Sequence, residues 1–308
     1  GGNAATEVSV TGITFDTTAP TFTSVSPATS SIVNTTAIGY TLSEAIASGS
    51  VAWTRTSGTD DGNSPHTAAL AGTELNTGTR ASAVLTNAPT LVSGTIYTIA
   101  FNGTDAGGNA ATEVSVTGIT FDTTAPTIIA STTIASDNST ATVTFSEAVF
   151  DTNGGSGALE ATDFTLSISG GVATLGAATP TSISISGNAY TLGFNLSGTP
   201  TGAETLRIVP SSATAIYDAA GNAASTSQSN NTITLNDQLS PTVSGTTVAS
   251  DNTTIAVTFS EAVYNTTGGS GALEVSDFTL SISGGTATVG STPSSISISG
   301  NVYTLGLT

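Results

Sequence analysis

Apolar and polar residues take turns along most of this chain. ATVTFSE at 141–147, DFTLSIS at 163–169, TSISIS at 181–186 and TIYTIAF at 95–101 each carry an apolar residue at every second position. That period places the apolar side chains on one face of an extended strand. Between such runs stand clusters of Gly, Asn and Asp, at 107–109, 153–157, 170–171 and 187–188, which favour tight turns. No long stretch has a 3.6-residue apolar period, and no apolar run approaches the ~18 residues that a membrane span needs. The pattern predicts strands and turns throughout.

The runs are organised in repeats. GGNAATEVSVTGITFDTTAP occurs at 1–20 and again, letter for letter, at 107–126. TVTFSEAVFDTNGGSGALEATDFTLSISGG at 142–171 answers VTFSEAVYNTTGGSGALEVSDFTLSISGG at 257–285. Residues 1–15 therefore read as the closing strand of a preceding repeat. Residues 16–121 read as one immunoglobulin-like repeat, 122–236 as a second type, and 237–308 as a truncated copy of that second type. About seven short strands in each unit, with turns at near-regular spacing, fit a β-sandwich. The expected fold class is all-β: tandem immunoglobulin-like β-sandwich domains in an extended array. The chain reads as a window on a longer array; the alternative is that the 1–15 strand is exchanged into the truncated unit of another copy.

Composition narrows the partners. The 308 residues include 21 acidic side chains against three basic ones, Arg55, Arg80 and Arg207, for a net charge of −18. Such a charge repels phosphate backbones and anionic lipid, so neither nucleic acid nor direct membrane binding is expected. Cysteine is absent, which removes disulfides and thiolate metal sites, and the absence of lysine removes Lys–Asn cross-links. Packing, hydrogen bonds and oxygen-ligated cations are left to stiffen the chain.

Three features survive between repeats that have otherwise diverged. Asp-x-x-x-Pro opens each unit at Asp16, Asp122 and Asp237. Ser-Glu-Ala follows the second strand at Glu44, Glu147 and Glu261. Asp-Ala-x-Gly-Asn precedes the last strand, giving Asp105 with Asn109 and Asp218 with Asn222. Sandwich topology carries all three to the same end of a domain. Carboxylates and amide carbonyls gathered without a nearby cation match the six to eight hard oxygen ligands of Ca²⁺, and Mg²⁺ fits less well because it demands strict octahedral geometry. The expected metal residues are Asp16, Glu44, Asp105 and Asn109 at the first junction, then Asp122, Glu147, Asp218 and Asn222 at the second. The third keeps Asp237 and Glu261, with Asp137 and Asn138 as further candidates. The same residues also suit turn chemistry: an Asp caps a turn, Asp-Ala-x-Gly-Asn makes a tight one, and a Glu at a strand end is often only solvated.

The FDTTAP linker, TFSEAV and DAAGN resemble the bacterial Ig-like repeats of giant surface adhesins, biofilm-associated proteins and the repetitive surface proteins of gliding and swimming bacteria. The resemblance covers nearly the whole chain. It implies tandem sandwiches, display outside the cell, and calcium at the linkers of a stiff stalk or filament. No catalytic role follows from it.

Other motifs lead elsewhere. Asp151-Thr-Asn-Gly-Gly starts like an EF-hand loop but has Gly155 at its third acidic position, and reads as a hairpin turn. GGSGALE at 154–160 lacks the spacing of a phosphate-binding loop. His66, the only histidine, lies in polar surroundings and is expected to be exposed. Trp53 is expected in the core; were it exposed with Tyr40, the repeats themselves would offer a stacking surface for glycan, which is the alternative function.

Overall fold

The computed structural model describes residues 1–308, apart from the side chains of Ala130 and Ser131. Among the described residues the regular structure is strand, with three short 3-10 turns and no α-helix. The chain divides into two compact units, Gly1–Gly198 with Gly202–Asn236, and Thr199–Thr201 with Asp237–Thr308. The larger unit contains two separate hydrophobic cores.

The first core lies between two sheets. Its strands are β1 (Phe22–Ser26), β2 (Ile32–Val33), β3 (Ile38–Leu42), β4 (Ser48–Gly58), β5 (His66–Ala69), β6 (Gly78–Ala83), β7 (Thr95–Thr104) and β8 (Val114–Phe121). One sheet runs β1-β3-β6 and the other β2-β8-β7-β4-β5. β7 shows why the alternation folds as it does: Thr95, Tyr97, Ile99, Phe101 and Gly103 are buried, and the residues between them are half-exposed. β8 breaks the period with a bulge, where Gly118 takes φ +71° and the register against β7 shifts between Tyr97 and Ile99. A glycine tolerates that left-handed backbone at little cost, and the extra residue keeps Val116, Ile119 and Phe121 all facing inward. Phe22, Tyr40 and Phe101 meet at tilted angles with centroids 5.5–6.1 Å apart, and Trp53 is buried with them.

The second core is built by β9 (Ile128–Ile134), β10 (Thr140–Phe145), β11 (Phe164–Ser169), β12 (Thr174–Leu175), β13 (Ser182–Ser186), β14 (Ala189–Gly193), β15 (Leu196–Ser197), β16 (Thr205–Pro210) and β17 (Thr232–Thr234). The sheets are β13-β14-β10-β9 and β11-β16-β17, with a short β12-β15 ladder. Phe145 stands edge-on to Tyr190 at 5.6 Å, and Phe164 closes the trio.

The smaller unit repeats that trio as Phe259, Phe278 and Tyr303. It forms one sheet, β18 (Val243–Val248), β19 (Thr254–Phe259), β20 (Ile296–Ser299) and β21 (Val302–Gly306), in the order β18-β19-β21-β20. Phe278–Ser283 has the sequence of β11, residue for residue, yet is not a strand. β11 pairs over its whole length with β16, and among the described residues no such ladder reaches Phe278–Ser283. Residues 1–15 differ from expectation in the same way: the copy at 107–121 contains β8, whereas 1–15 has no regular structure. A strand is stable only with a partner.

His66 also departs from the sequence reading. It lies in β5 with its side chain 14% exposed, and its Nε2 is 2.6 Å from Oδ2 of buried Asp61. The Tyr97 hydroxyl donates to the same oxygen over 2.7 Å. The polar loop between β4 and β5 is thus pinned inward through an aspartate.

Candidate metal centre

Each repeat opens with an aspartate that caps its own turn. Oδ1 of Asp16 accepts from Thr18 N–H (2.9 Å), Oδ1 of Asp122 from Thr124 N–H (2.9 Å) and Oδ1 of Asp237 from Leu239 N–H (2.8 Å). Turn chemistry accounts for one carboxylate oxygen in each case.

The glutamate of Ser-Glu-Ala is positioned by the serine before it. The Ser43 hydroxyl accepts Thr21 N–H at 2.9 Å, and Ser43 N–H returns to Thr21 O. Ser146 makes the same exchange with Thr127, and Ser260 with Thr242. Each serine therefore fastens the loop after the second strand to the residue following the linker proline. These serines stand in every repeat of the sequence, but nothing there shows that their hydroxyls tie the loop to the linker.

The third element is the Asp-Ala-x-Gly-Asn turn. Asp105 accepts from Asn109 N–H through Oδ1 and from Asn109 Nδ2 through Oδ2, both at 2.8 Å. Those bonds, the side-chain amide first, hold the Asp105 carboxyl below the usual aspartate range. Asp218 and Asn222 repeat the geometry at 2.8 and 2.7 Å. Each asparagine also donates to the main-chain carbonyl of the entrance aspartate, Asn109 to Asp16 (3.2 Å) and Asn222 to Asp122 (3.0 Å). Asn109 and Asn222 thus turn their amide nitrogens to the carboxylates and to the entrance carbonyls, and hold these groups together.

The outcome is two matching clusters. Carboxylate oxygens of Asp16, Glu44 and Asp105 lie within 4.8 Å of one another, and so do those of Asp122, Glu147 and Asp218. Asp105 and Asp218 are buried. Among the described residues Glu44 and Glu147 accept no hydrogen bond, unlike buried Glu74, whose oxygens accept from Ala71 and Thr86. Burial first, then the two neighbouring aspartates, push the Glu44 carboxyl upward. The same causes push Glu147 up to about 6. No arginine relieves either cluster: Arg55 binds Gly58 O and Thr59 O, Arg80 binds Thr73 O, and Arg207 binds Thr226 O.

At the second cluster the first sandwich contributes as well. Asp122 N–H donates to Val33 O at 2.9 Å, the Ser93 hydroxyl reaches Asp122 Oδ1 at 3.2 Å, and Asn34 Nδ2 donates to Asn222 Oδ1 at 3.2 Å. Ser93 and Asn34 carry no motif and were not legible as site residues.

The third position keeps a pair. Burial, then a hydrogen bond with Asp237, raises the Glu261 carboxyl. Asp137 and Asn138 are spent on local structure: Asp137 Oδ1 accepts from Ser139, and buried Asn138 exchanges hydrogen bonds with Asn236. Trp53 is 2% exposed and Tyr40 fully buried, so neither offers a ring to a sugar.

Residues 16–123 match the family described as bacterial Ig-like domain. This stretch is similar to a bacterial Ig-like repeat, and the matched span holds all three carboxylates of the first cluster and Asp122 of the second. No curated protein matches the chain. No helix among the described residues is long and apolar enough to cross a membrane.

Proposed function

We propose that this chain is a structural segment of a bacterial extracellular surface adhesin, a stalk or filament in which calcium bound at the domain entrances limits bending. The observation that carries the reading is the recurrence of a three-carboxylate cluster, Asp16–Glu44–Asp105 and Asp122–Glu147–Asp218, in two sandwiches whose sequences have largely diverged.

The donor chemistry fits the ion. Oxygens on opposite sides of Ca²⁺ stand about 5 Å apart, so groups within 4.8 Å of one another are close enough for one ion to touch all three. Three carboxylates held this close repel one another, and a divalent cation offsets that repulsion. Asp16, Glu44 and Asp105 would hold the first ion; Asp122, Glu147 and Asp218 the second. The asparagine and serine hydrogen bonds order the groups in advance, which lowers the entropy lost on binding. The pair Asp237–Glu261 offers two carboxylates and a weaker site.

Similarity to bacterial Ig-like domains supports a surface role without catalysis, and the charge of −18 suits a chain that avoids nucleic acid and anionic membrane. Binding at ~0.1–1 mM, usual for extracellular modules, would keep the sites filled outside a cell. The test is thermal unfolding and small-angle scattering in millimolar calcium and in chelator. A higher melting temperature and a longer, less variable particle in calcium are expected. Identical curves in both conditions would remove the metal from this reading.

A further inference from the structure

Residues 1–15 and 107–121 are the same sequence in two different states. In β8, Val116, Ile119 and Phe121 are 6%, 1% and 8% exposed; their counterparts Val10, Ile13 and Phe15 are 72%, 77% and 90% exposed. Gly12 carries φ +81°, the same left-handed backbone as the bulge glycine Gly118 at +71°. We propose that residues 1–15 are a sheet-completing strand, and that the partner they fit is an Ig-like sandwich of the first repeat's type with its closing position open.

The interface is specified by β8 itself. That strand pairs antiparallel with β7, from Val114 opposite Phe101 to Phe121 opposite Thr95, and parallel with β2 through Thr120 and Phe121. The partner must therefore present one edge of each kind, above a core that accepts Val10, Ile13 and Phe15. The chain's own first sandwich cannot serve. Its position is filled by β8, and the connection is wrong as well. Phe15 is bonded to Asp16, which clusters with Asp105 just beyond the Thr104 end of β7. A strand in the β8 position has its Phe at the Thr95 end, about 30 Å away at ~3.3 Å per residue. Residues 1–15 must enter a different sandwich.

Docking would also complete the first cluster. At Asp122 the sandwich that owns the closing strand supplies Val33 O, Ser93 and Asn34. A sandwich receiving residues 1–15 brings the equivalent groups to Asp16, whether or not a cation is held there.

The experiment uses the full chain with Val116→Asp and Ile119→Asp, which unseats β8. Trp53, the only tryptophan, lies on β4 in the same sheet and reports on this sandwich alone. A synthetic peptide of residues 1–15 is titrated in. Saturable recovery of the buried Trp53 emission is expected, with affinity about a hundredfold weaker for the Val10→Asp, Ile13→Asp peptide, which loses two buried apolar groups. The variant should also associate as its concentration rises, through residues 1–15 of other copies, and lose that association when Val10 and Ile13 are replaced in the chain. If the double variant does not fold, the Ile119→Ala chain replaces it, and the peptide should raise the urea midpoint of Trp53. A peptide without effect on Trp53 in either chain, with no association of the variant, would overturn the proposal.

Discussion

Asn109 reaches back 93 positions to donate to the carbonyl of Asp16 at 3.2 Å, while the same amide nitrogen holds Oδ2 of Asp105 at 2.8 Å. One side chain thus fastens the last turn of the first sandwich to its entrance and fixes the distance between two of the three clustered aspartate and glutamate residues. Replacing Asn109 with Ala removes hydrogen bonds to a carboxylate and a carbonyl. The expected loss is about 1–3 kcal/mol of stability, read from urea unfolding followed by Trp53 fluorescence. Calcium should stabilise this variant less than the parent chain.

Ser43 makes the corresponding tie at the other loop, with its hydroxyl accepting Thr21 N–H. The site is exposed, so Ser43→Ala should cost only about 0.5–1 kcal/mol in chelator. The cost should be larger in calcium, because Glu44 is then free to leave its neighbours. Comparing the two urea midpoints separates a tie that only stabilises the fold from one that also positions Glu44.

The glutamates set a pH signature. Glu147 has a carboxyl raised to about 6 in the folded chain from an ordinary value of 4.5. A raised acid favours the folded state while protonated, so without metal the second sandwich should gain stability as pH falls from about 7 to 5. Glu147→Gln should flatten that slope. In calcium the sign reverses, since protonation competes with the ion. Melting temperature against pH, with and without calcium, shows both trends.

Asp61 predicts an effect far from any cluster. It accepts hydrogen bonds from Tyr97, His66 and Asn63, and the Tyr97 bond is the largest cause of its lowered carboxyl. Asp61→Ala removes the acceptor of the Tyr97 O–H, which still accepts Val92 N–H, and should lower stability at neutral pH. In the parent chain this contribution is present above the unfolded aspartate value of 3.8 and is lost as pH falls below it. Urea midpoints of Trp53 at pH 7 and pH 3 check the difference.

The all-β fold was legible because alternation in stretches such as Thr95–Thr104 can bury only one face. The clusters were legible because three motifs recurred in unlike repeats and sandwich topology sends them to one end. Other features escaped because they depend on partners distant in sequence. FTLSIS at 278–283 has the right alternation and no ladder, since alternation specifies a face and not a neighbour. Asp61 and His66 sit among Gly, Asn, Ser and Pro, and nothing nearby announces that Tyr97 draws the aspartate inward. Asn34 and Ser93 reach the second cluster from loops with no recurring signature.

Isothermal titration of calcium into the chelator-treated chain reads the two three-carboxylate clusters themselves. Two principal sites are expected, one lost in Glu44→Gln and the other in Glu147→Gln, with dissociation constants of ~0.1–1 mM. Binding that is absent, or that survives with unchanged stoichiometry when both glutamates are replaced, would rule out calcium at these clusters.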